Sequence, residues 1–280
     1  MIQPSQLIVT TSKSLLALDP VDGTIRVLDS GREHYYGVTK SLDTYYVGIR
    51  HRSNASPIPK DQERGRILVF DQAFRFREEI GPDFPLRDIH QITMHAGMLW
   101  VTCSYDNMVA VFDGVRWRQW YPLGEPDSEY RDRNHFNSIS AFANQLCVVA
   151  HNLGSDATKP SELLFYNLPE LKLVRRVALG FQSHNAWLHG DELMTCSSGE
   201  GRLRGINGTE VLTGGFPRSA AYANDEIYIG LSEFSARKDR DESKGEIVVF
   251  GPKWEKRRTL SLSGHGMITD MLAITAGDIA

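Results

Sequence analysis

The residues of this chain that could do chemistry are its histidines. Nine are present, without an HExxH pair or a cysteine spacing that would fix a metal locally. Seven of the nine, His34, His51, His90, His135, His151, His184 and His265, fall at one end of a repeat, and only His95 and His189 fall at the other. Imidazoles brought to one opening from separate stretches of chain suit a divalent transition metal, since Zn²⁺, Fe²⁺, Cu²⁺ and Ni²⁺ all accept neutral imidazole nitrogen. An incomplete protein shell leaves a position for water or substrate, and so for Lewis-acid or metal-hydroxide chemistry. His90, His184 and His265 form the best ligand set, with His135 next. The alternative is a water-filled channel in which the same rings bond neighbouring strands and hold no metal.

The same regions offer groups for proton transfer and anion binding. Tyr36, Asp88, Glu233 and Asp270, together with Tyr105 and Glu200, are candidate acids or bases. Arg218 has no evident sequence partner, and a channel-facing guanidinium of that kind suits a carboxylate or phosphate gripped through two hydrogen bonds. Three polar loops, residues 53–64, 153–161 and 234–245, would overhang the opening as a rim.

What must position these groups is a repeated phrase, an apolar strand closed by Asp, Asn or Gly and followed by a more polar strand. Its turn residues are Asp19, Asp71, Asp113, Asn167, Asn207 and Gly251, at intervals of 52, 42, 54, 40 and 44 residues. Six copies at that period, rich in Val, Ile, Tyr and Phe and lacking helical spacing, predict an all-β, six-bladed propeller with four-stranded blades. A second phrase precedes each copy from the second onward, a hairpin turn such as Asp43, Gly97, Asn144, Asp191 or Asp225 before a strongly apolar strand. Counting seven residues back from those turns gives Tyr36, His90, Asn137, His184 and Arg218, and nine back gives His34, Asp88, His135, Gln182 and Phe216. The first copy lacks an inner strand, and residues 267–273 can supply it, so the C-terminal strand is expected to complete the N-terminal blade and close the ring. No boundary divides residues 1–280, which reads as a single propeller domain.

Composition narrows the function classes. A net charge of −4 and a pI near 6.1 give no large positive field, which argues against nucleic-acid or anionic-membrane partners. The basic run at residues 253–258 reads as a charged outer strand. No apolar run approaches the ~20 residues of a membrane helix, and the start Met1-Ile2-Gln3-Pro4 is not a secretion signal, so a cytoplasmic protein is expected. Cys103, Cys147 and Cys196 fall in strands without paired spacing and read as buried free thiols of a reducing compartment.

The segment Gln182-Ser183-His184-Asn185-Ala186-Trp187-Leu188-His189-Gly190-Asp191-Glu192-Leu193, followed by Cys196-Ser197-Ser198-Gly199-Glu200-Gly201, is similar to a PHSPRWHDGRLWxxNSGxGxL phrase of a bacterial family of uncharacterised propeller proteins. Gly215-Phe216-Pro217-Arg218 through Tyr228-Ile229-Gly230-Leu231-Ser232 resembles the GFPRGLAF and FVGLS phrases of that family, and Asn185-Ala186 stands where the family has Ser-Pro. The family looks like a relative of NHL and gluconolactonase-type six-bladed propellers. That wider group includes metal-dependent lactonases and lyases as well as binding modules, so the resemblance implies small-molecule chemistry without naming a reaction.

The sequence thus leads to a metal-dependent enzyme, a lyase, isomerase, hydrolase or oxygenase, acting on a small, polar, anionic molecule at a histidine-lined channel mouth. The alternatives are a non-catalytic small-molecule binder at the same place and a protein-interaction propeller.

Overall fold

The structure, a computed structural model, describes residues 6–124, 131–151 and 158–274. The first sheet carries β1 (Gln6–Thr11), β2 (Ser14–Leu18) and β3 (Ile25–Ser30). The second is β4 (His34–Ser41), β5 (Thr44–Arg50), β6 (Arg66–Asp71) and β7 (Phe76–Ile80), and the third is β8 (Ile89–His95), β9 (Met98–Cys103), β10 (Met108–Phe112) and β11 (Trp117–Trp120). The fourth is β12 (Phe136–Phe142), β13 (Gln145–Ala150), β14 (Glu162–Asn167) and β15 (Lys172–Ala178). The fifth is β16 (Ser183–His189), β17 (Glu192–Ser197), β18 (Arg202–Gly205) and β19 (Glu210–Leu212). The sixth is β20 (Phe216–Ala223), β21 (Glu226–Ser232), β22 (Gly245–Phe250) and β23 (Lys256–Ser261). β24 (Ile268–Ile274) returns to the first sheet and pairs with β1, as in Ile8 with Leu272, so the order is β24-β1-β2-β3 and the ring closes as the sequence predicts. The architecture is a six-bladed β-propeller of antiparallel four-stranded blades.

Unbroken apolar runs form the middle strands because each blade is covered on both faces. Successive residues of a strand point to opposite faces. Leu7, Val9, Leu16 and Leu18 pack against Tyr228, Ile247 and Val249 of the sixth blade, while Ile8, Leu15 and Ala17 pack against Tyr35, Val47 and Leu68 of the second. The same division recurs at the other four interfaces, giving one apolar core between each pair of neighbouring blades. Outermost strands are exposed and charged. In β23, Arg257 and Arg258 lie 3.2 and 2.6 Å from Glu226 Oε1, which satisfies part of the basic run within its own blade.

The feature that shapes the channel is a register break near the start of every innermost strand. It falls between Tyr35 and Val38, Ile89 and Ile92, Phe136 and Ser138, His184 and Ala186, and Pro217 and Ser219, and opposite Thr10 and Thr11 in β24. Such bulges re-aim side chains at the expense of ladder bonds, and here they turn polar groups toward the axis. Gln91 Nε2 donates to Asp270 Oδ1 at 3.2 Å and to Asn185 Oδ1 at 2.9 Å, while its Oε1 accepts from Ile139 N at 2.9 Å. Val38 N donates to Asp270 Oδ2 at 3.2 Å, and Asn185 Nδ2 donates to Arg218 O at 3.4 Å. One group from each blade therefore joins a polar plug across the channel. Gly37 adopts φ +81°, and a Cβ there would lie 2.6 Å from Ile92 N, so this bulge admits no side chain.

Candidate functional site

Above the plug, the bulged strand starts and the loops beside them place a chain of rings around the mouth. Centroids of Tyr36 and His90 are 5.5 Å apart, His90 and His135 4.8 Å, His135 and His151 4.9 Å, His151 and His184 6.3 Å, and His184 and Phe216 5.6 Å. His34 joins from the other side, 5.8 Å from Tyr36. The chain of rings runs from the second blade to the sixth, through residues that the sequence assigns to one end of the repeat.

Within this arc, Asp88, His90 and His135 each offer a ligand atom, and the three atoms lie within 4.8 Å of one another. His90 Nε2 is 3.5 Å from Asp88 Oδ1, and His90 Nδ1 is buried without a hydrogen-bond partner. His135 Nδ1 sits 2.6 Å from Asp132 Oδ1, a contact that favours the tautomer with its proton on Nδ1, in which Nε2 is an electron-pair donor. Burial drives the His90 imidazole down to about 3 against the pull of Asp88. His151 is brought to about 3 by burial and by the neighbouring His135 and His90. Burial, reinforced by Arg218, holds His184 well below the usual imidazole range.

Asp88 is fully buried in a charged cluster. Burial alone would raise its carboxyl, but Arg50, His90 and Lys60 outweigh that and keep it well below the usual carboxylate range. Arg50 Nη1 lies 2.7 Å from Asp88 Oδ1, and its Nε and Nη2 donate to Glu63 at 2.8 and 3.1 Å. Lys60 Nζ bridges Asp88 Oδ2 at 2.7 Å and Asp132 Oδ2 at 2.9 Å.

The expected ligand set His90, His184 and His265 is only partly brought together. His184 lies beyond His151, with Nδ1 2.9 Å from Gln182 O and 2.8 Å from Ser198 Oγ; Ser198 in turn donates to Pro217 O. A proton on Nδ1 satisfies both contacts and leaves Nε2 as an acceptor. His265 lies in the loop before β24, its backbone N–H on Leu262 O, and among the described residues no ring contact links it to the other histidines. His51 is exposed. Tyr36 is buried under the Arg50 guanidinium, 5.1 Å from its ring centre. Asp270 belongs to the plug below the mouth, where burial raises it to about 6 against the hydrogen bonds it accepts. Glu233 is exposed and accepts from Lys244 N at 3.1 Å.

Arg218 is 5% exposed, beneath a cavity of about 290 Å³ lined by Phe216, Ser232, Glu233, Phe234, Arg240 and Met267, among others. The rim loops do meet over the face: Asn54 N and Nδ2 donate to Asp241 at 3.0 and 2.6 Å, and Asp241 Oδ1 lies 2.7 Å from His34 Nε2. Residues 153–157 of the loop at 153–161 lie outside the described residues.

Sequence reasoning does not single out Lys60, Glu63, Asp132 or Arg240. Asp132 carries a weak signal, three residues before His135. Lys60 and Arg240 sit in short 3-10 turns of the rim loops, Lys60–Gln62 and Arg237–Glu242, whose composition does not distinguish them from solvent-facing charges.

No protein-family model and no curated protein sequence matches the chain. Among solved structures, it is similar to a chain of a nidogen/laminin complex, with a TM-score of 0.68 at 10% identity over 97% of this chain and 99% of that one. It is also similar to a protein of unknown function from Bacteroides caccae, with a TM-score of 0.64 at 12% identity over the same shares of the two chains. At that identity the likeness defines the class as six-bladed β-propellers and nothing finer. No helix among the described residues is long and apolar enough to cross a membrane.

Proposed function

We propose that the protein is a metal-dependent enzyme in which Asp88, His90 and His135 hold a divalent transition metal at the propeller mouth, with a small anionic molecule bound on the Arg218 side. The observation that carries this reading is the donor set itself, two imidazole nitrogens and one carboxylate oxygen within 4.8 Å. The unpartnered, buried Nδ1 of His90 fits such an ion, as does the Asp132 carboxylate that orients His135. Ligand imidazoles must be neutral, and burial keeps His90 so. Two histidines and one carboxylate compose the ligand sets of non-haem iron oxygenases and of zinc hydrolases, which places oxygenase and hydrolase ahead of lyase and isomerase. When bound, the ion supplies Lewis-acid or metal-hydroxide chemistry.

The chain's own groups do the remaining work in this proposal. Asp132 holds the proton on His135 Nδ1, and His184 presents Nε2 as a proton acceptor. Arg218 balances substrate charge, and Glu233 stands at the cavity lip as a carboxylate. Asp270 is set apart from substrate by the plug and titrates within the channel. The phrases at residues 182–201 and 215–232 that resemble a bacterial propeller family, itself like lactonase-type propellers, add to the reading. The buried free thiols of Cys103, Cys147 and Cys196 accord with a cytoplasmic location.

A second reading, binding of a small anion without metal, draws on the cations Arg50 and Lys60 that already face Asp88. Equilibrium dialysis against Zn²⁺, Fe²⁺, Cu²⁺ and Ni²⁺ separates the two. Uptake of one ion per chain that disappears in His90→Ala/His135→Ala, with circular dichroism unchanged, supports the enzyme. Absence of uptake, or uptake indifferent to both substitutions, leaves the second reading.

A further inference from the structure

We infer that the cavity between Arg218 and Arg240 is a binding site for the carboxylate of a monoanionic acid with a flat apolar body. This deepens, and rests on, the assignment of a small anionic ligand to the mouth.

A buried charge is ordinarily paired or hydrogen-bonded on all sides. Arg218 is neither. Among the described residues its guanidinium makes one hydrogen bond, from Nη1 to Met267 Sδ at 3.2 Å, while Nε is buried without a partner. No carboxylate of the described residues lies within ion-pair distance of it. Burial, with Arg240 and Arg50 nearby, pulls the guanidinium below its usual range against the opposing pull of Tyr36 and the more distant Asp88. Arg240 approaches the same place from the rim: Arg218 and Arg240 stand 5.5 and 5.9 Å from the centre of the Phe216 ring. It too has no described carboxylate at ion-pair distance. The Ser232 hydroxyl accepts from Ile268 N, which leaves its proton to donate, and Ser235 Oγ is buried without a partner.

Charge and shape select among anions. Two guanidiniums and the Glu233 carboxylate line the cavity, a net of one positive charge, which a monoanion neutralises and a phosphate dianion overshoots. The planar fork of Arg218 matches a carboxylate. Phe216 and Phe234, edge to face at 5.6 Å, and Met267 supply apolar walls. The volume of about 290 Å³ is at the small end of ligand pockets, which suits a single-ring acid.

The test is isothermal titration of the chelator-treated full-length protein with benzoate, acetate and inorganic phosphate. Benzoate is expected to bind one per chain and more tightly than acetate or phosphate. Arg218→Met and Arg240→Met should each weaken it, by more than about tenfold for the buried Arg218. Arg218→Met should keep or raise the melting temperature, because it removes an unpaired buried charge. Should that variant fail to fold, Arg240→Met at the rim carries the test alone. Absence of benzoate binding, or binding indifferent to Arg240→Met, overturns the site; phosphate binding more tightly overturns the monocarboxylate assignment, and acetate equalling benzoate overturns the apolar body. Because the titration is made without metal, its outcome is separate from that of the dialysis.

Discussion

Lys60 Nζ lies 2.7 Å from Asp88 Oδ2, so the carboxylate of the candidate ligand set shares its charge with an ammonium group delivered by a rim loop. An ammonium there opposes a second cation by simple Coulomb repulsion, worth a few kcal/mol at an effective dielectric of about 20. Lys60→Met should therefore tighten Zn²⁺ binding by roughly tenfold or more, measured by competition with a chromophoric chelator. Weaker binding in the variant would show that Lys60 supports the site through some other route.

Arg50 and Glu63 lie beneath the mouth as a buried pair joined through two hydrogen bonds. Removing Arg50 strands Glu63 as an uncompensated buried charge, whereas removing Glu63 leaves Arg50 with Asp88. Arg50→Met should cost about 3–5 kcal/mol, read from urea unfolding, and Glu63→Gln somewhat less because the amide oxygen still accepts one bond. A loss under about 1 kcal/mol in both would mean that water reaches this cluster.

Acid should unfold the metal-free protein early. His151 and His184 are depressed by burial, so their native forms bind fewer protons than the unfolded chain. Their contribution is complete above about pH 6.5 and is lost as pH falls below it, toward about 3 for His151, with a slope of up to about 1.4 kcal/mol per pH unit for each group. Asp270, raised by burial to about 6, acts in the opposite sense between about pH 4 and 6, and one such group does not offset two. His184→Asn preserves a donor toward Gln182 O and Ser198 and should flatten the acid slope by close to one proton. Unfolding curves at pH 7, 5.5 and 4 with chelator present decide this, and an unchanged slope would place His184 in solvent.

The channel plug predicts an effect at a distance from any pocket. Gln91→Ala strips donors from Asp270 Oδ1 and Asn185 Oδ1 and leaves Ile139 N–H without its acceptor. A cost of about 2–4 kcal/mol follows from several unmade buried bonds. Gly37→Ala should cost a comparable amount, because its Cβ meets the Ile92 backbone at 2.6 Å. If either variant unfolds at the wild-type denaturant midpoint, the innermost strands are looser than the bulged geometry implies.

The ring of blades is legible in the sequence because covering each sheet on both faces demands runs such as Ile67-Leu68-Val69-Phe70, closed by a turn residue at a blade-length interval. The histidine mouth is legible for the same reason, since strand starts and loop returns share one end. What counting cannot supply is the local break in register. The bulges of β12 and β20 fall at Asn137 and Arg218, the positions that the turns align, whereas that of β16 falls one residue later, so His184 stays in register with Cys196 and Asn185 turns to the axis. Lys60 and Asp132 escape because tertiary contact alone gives them a role: nothing in a polar loop marks which ammonium will reach a carboxylate 28 residues away.

The most direct test of the account is anomalous diffraction from crystals grown with Zn²⁺. The account predicts a peak bonded by Asp88, His90 and His135, with Zn–N distances of about 2.0–2.1 Å. A mouth without anomalous density, or zinc bound elsewhere while Asp88 remains clasped by Arg50 and Lys60, would contradict it.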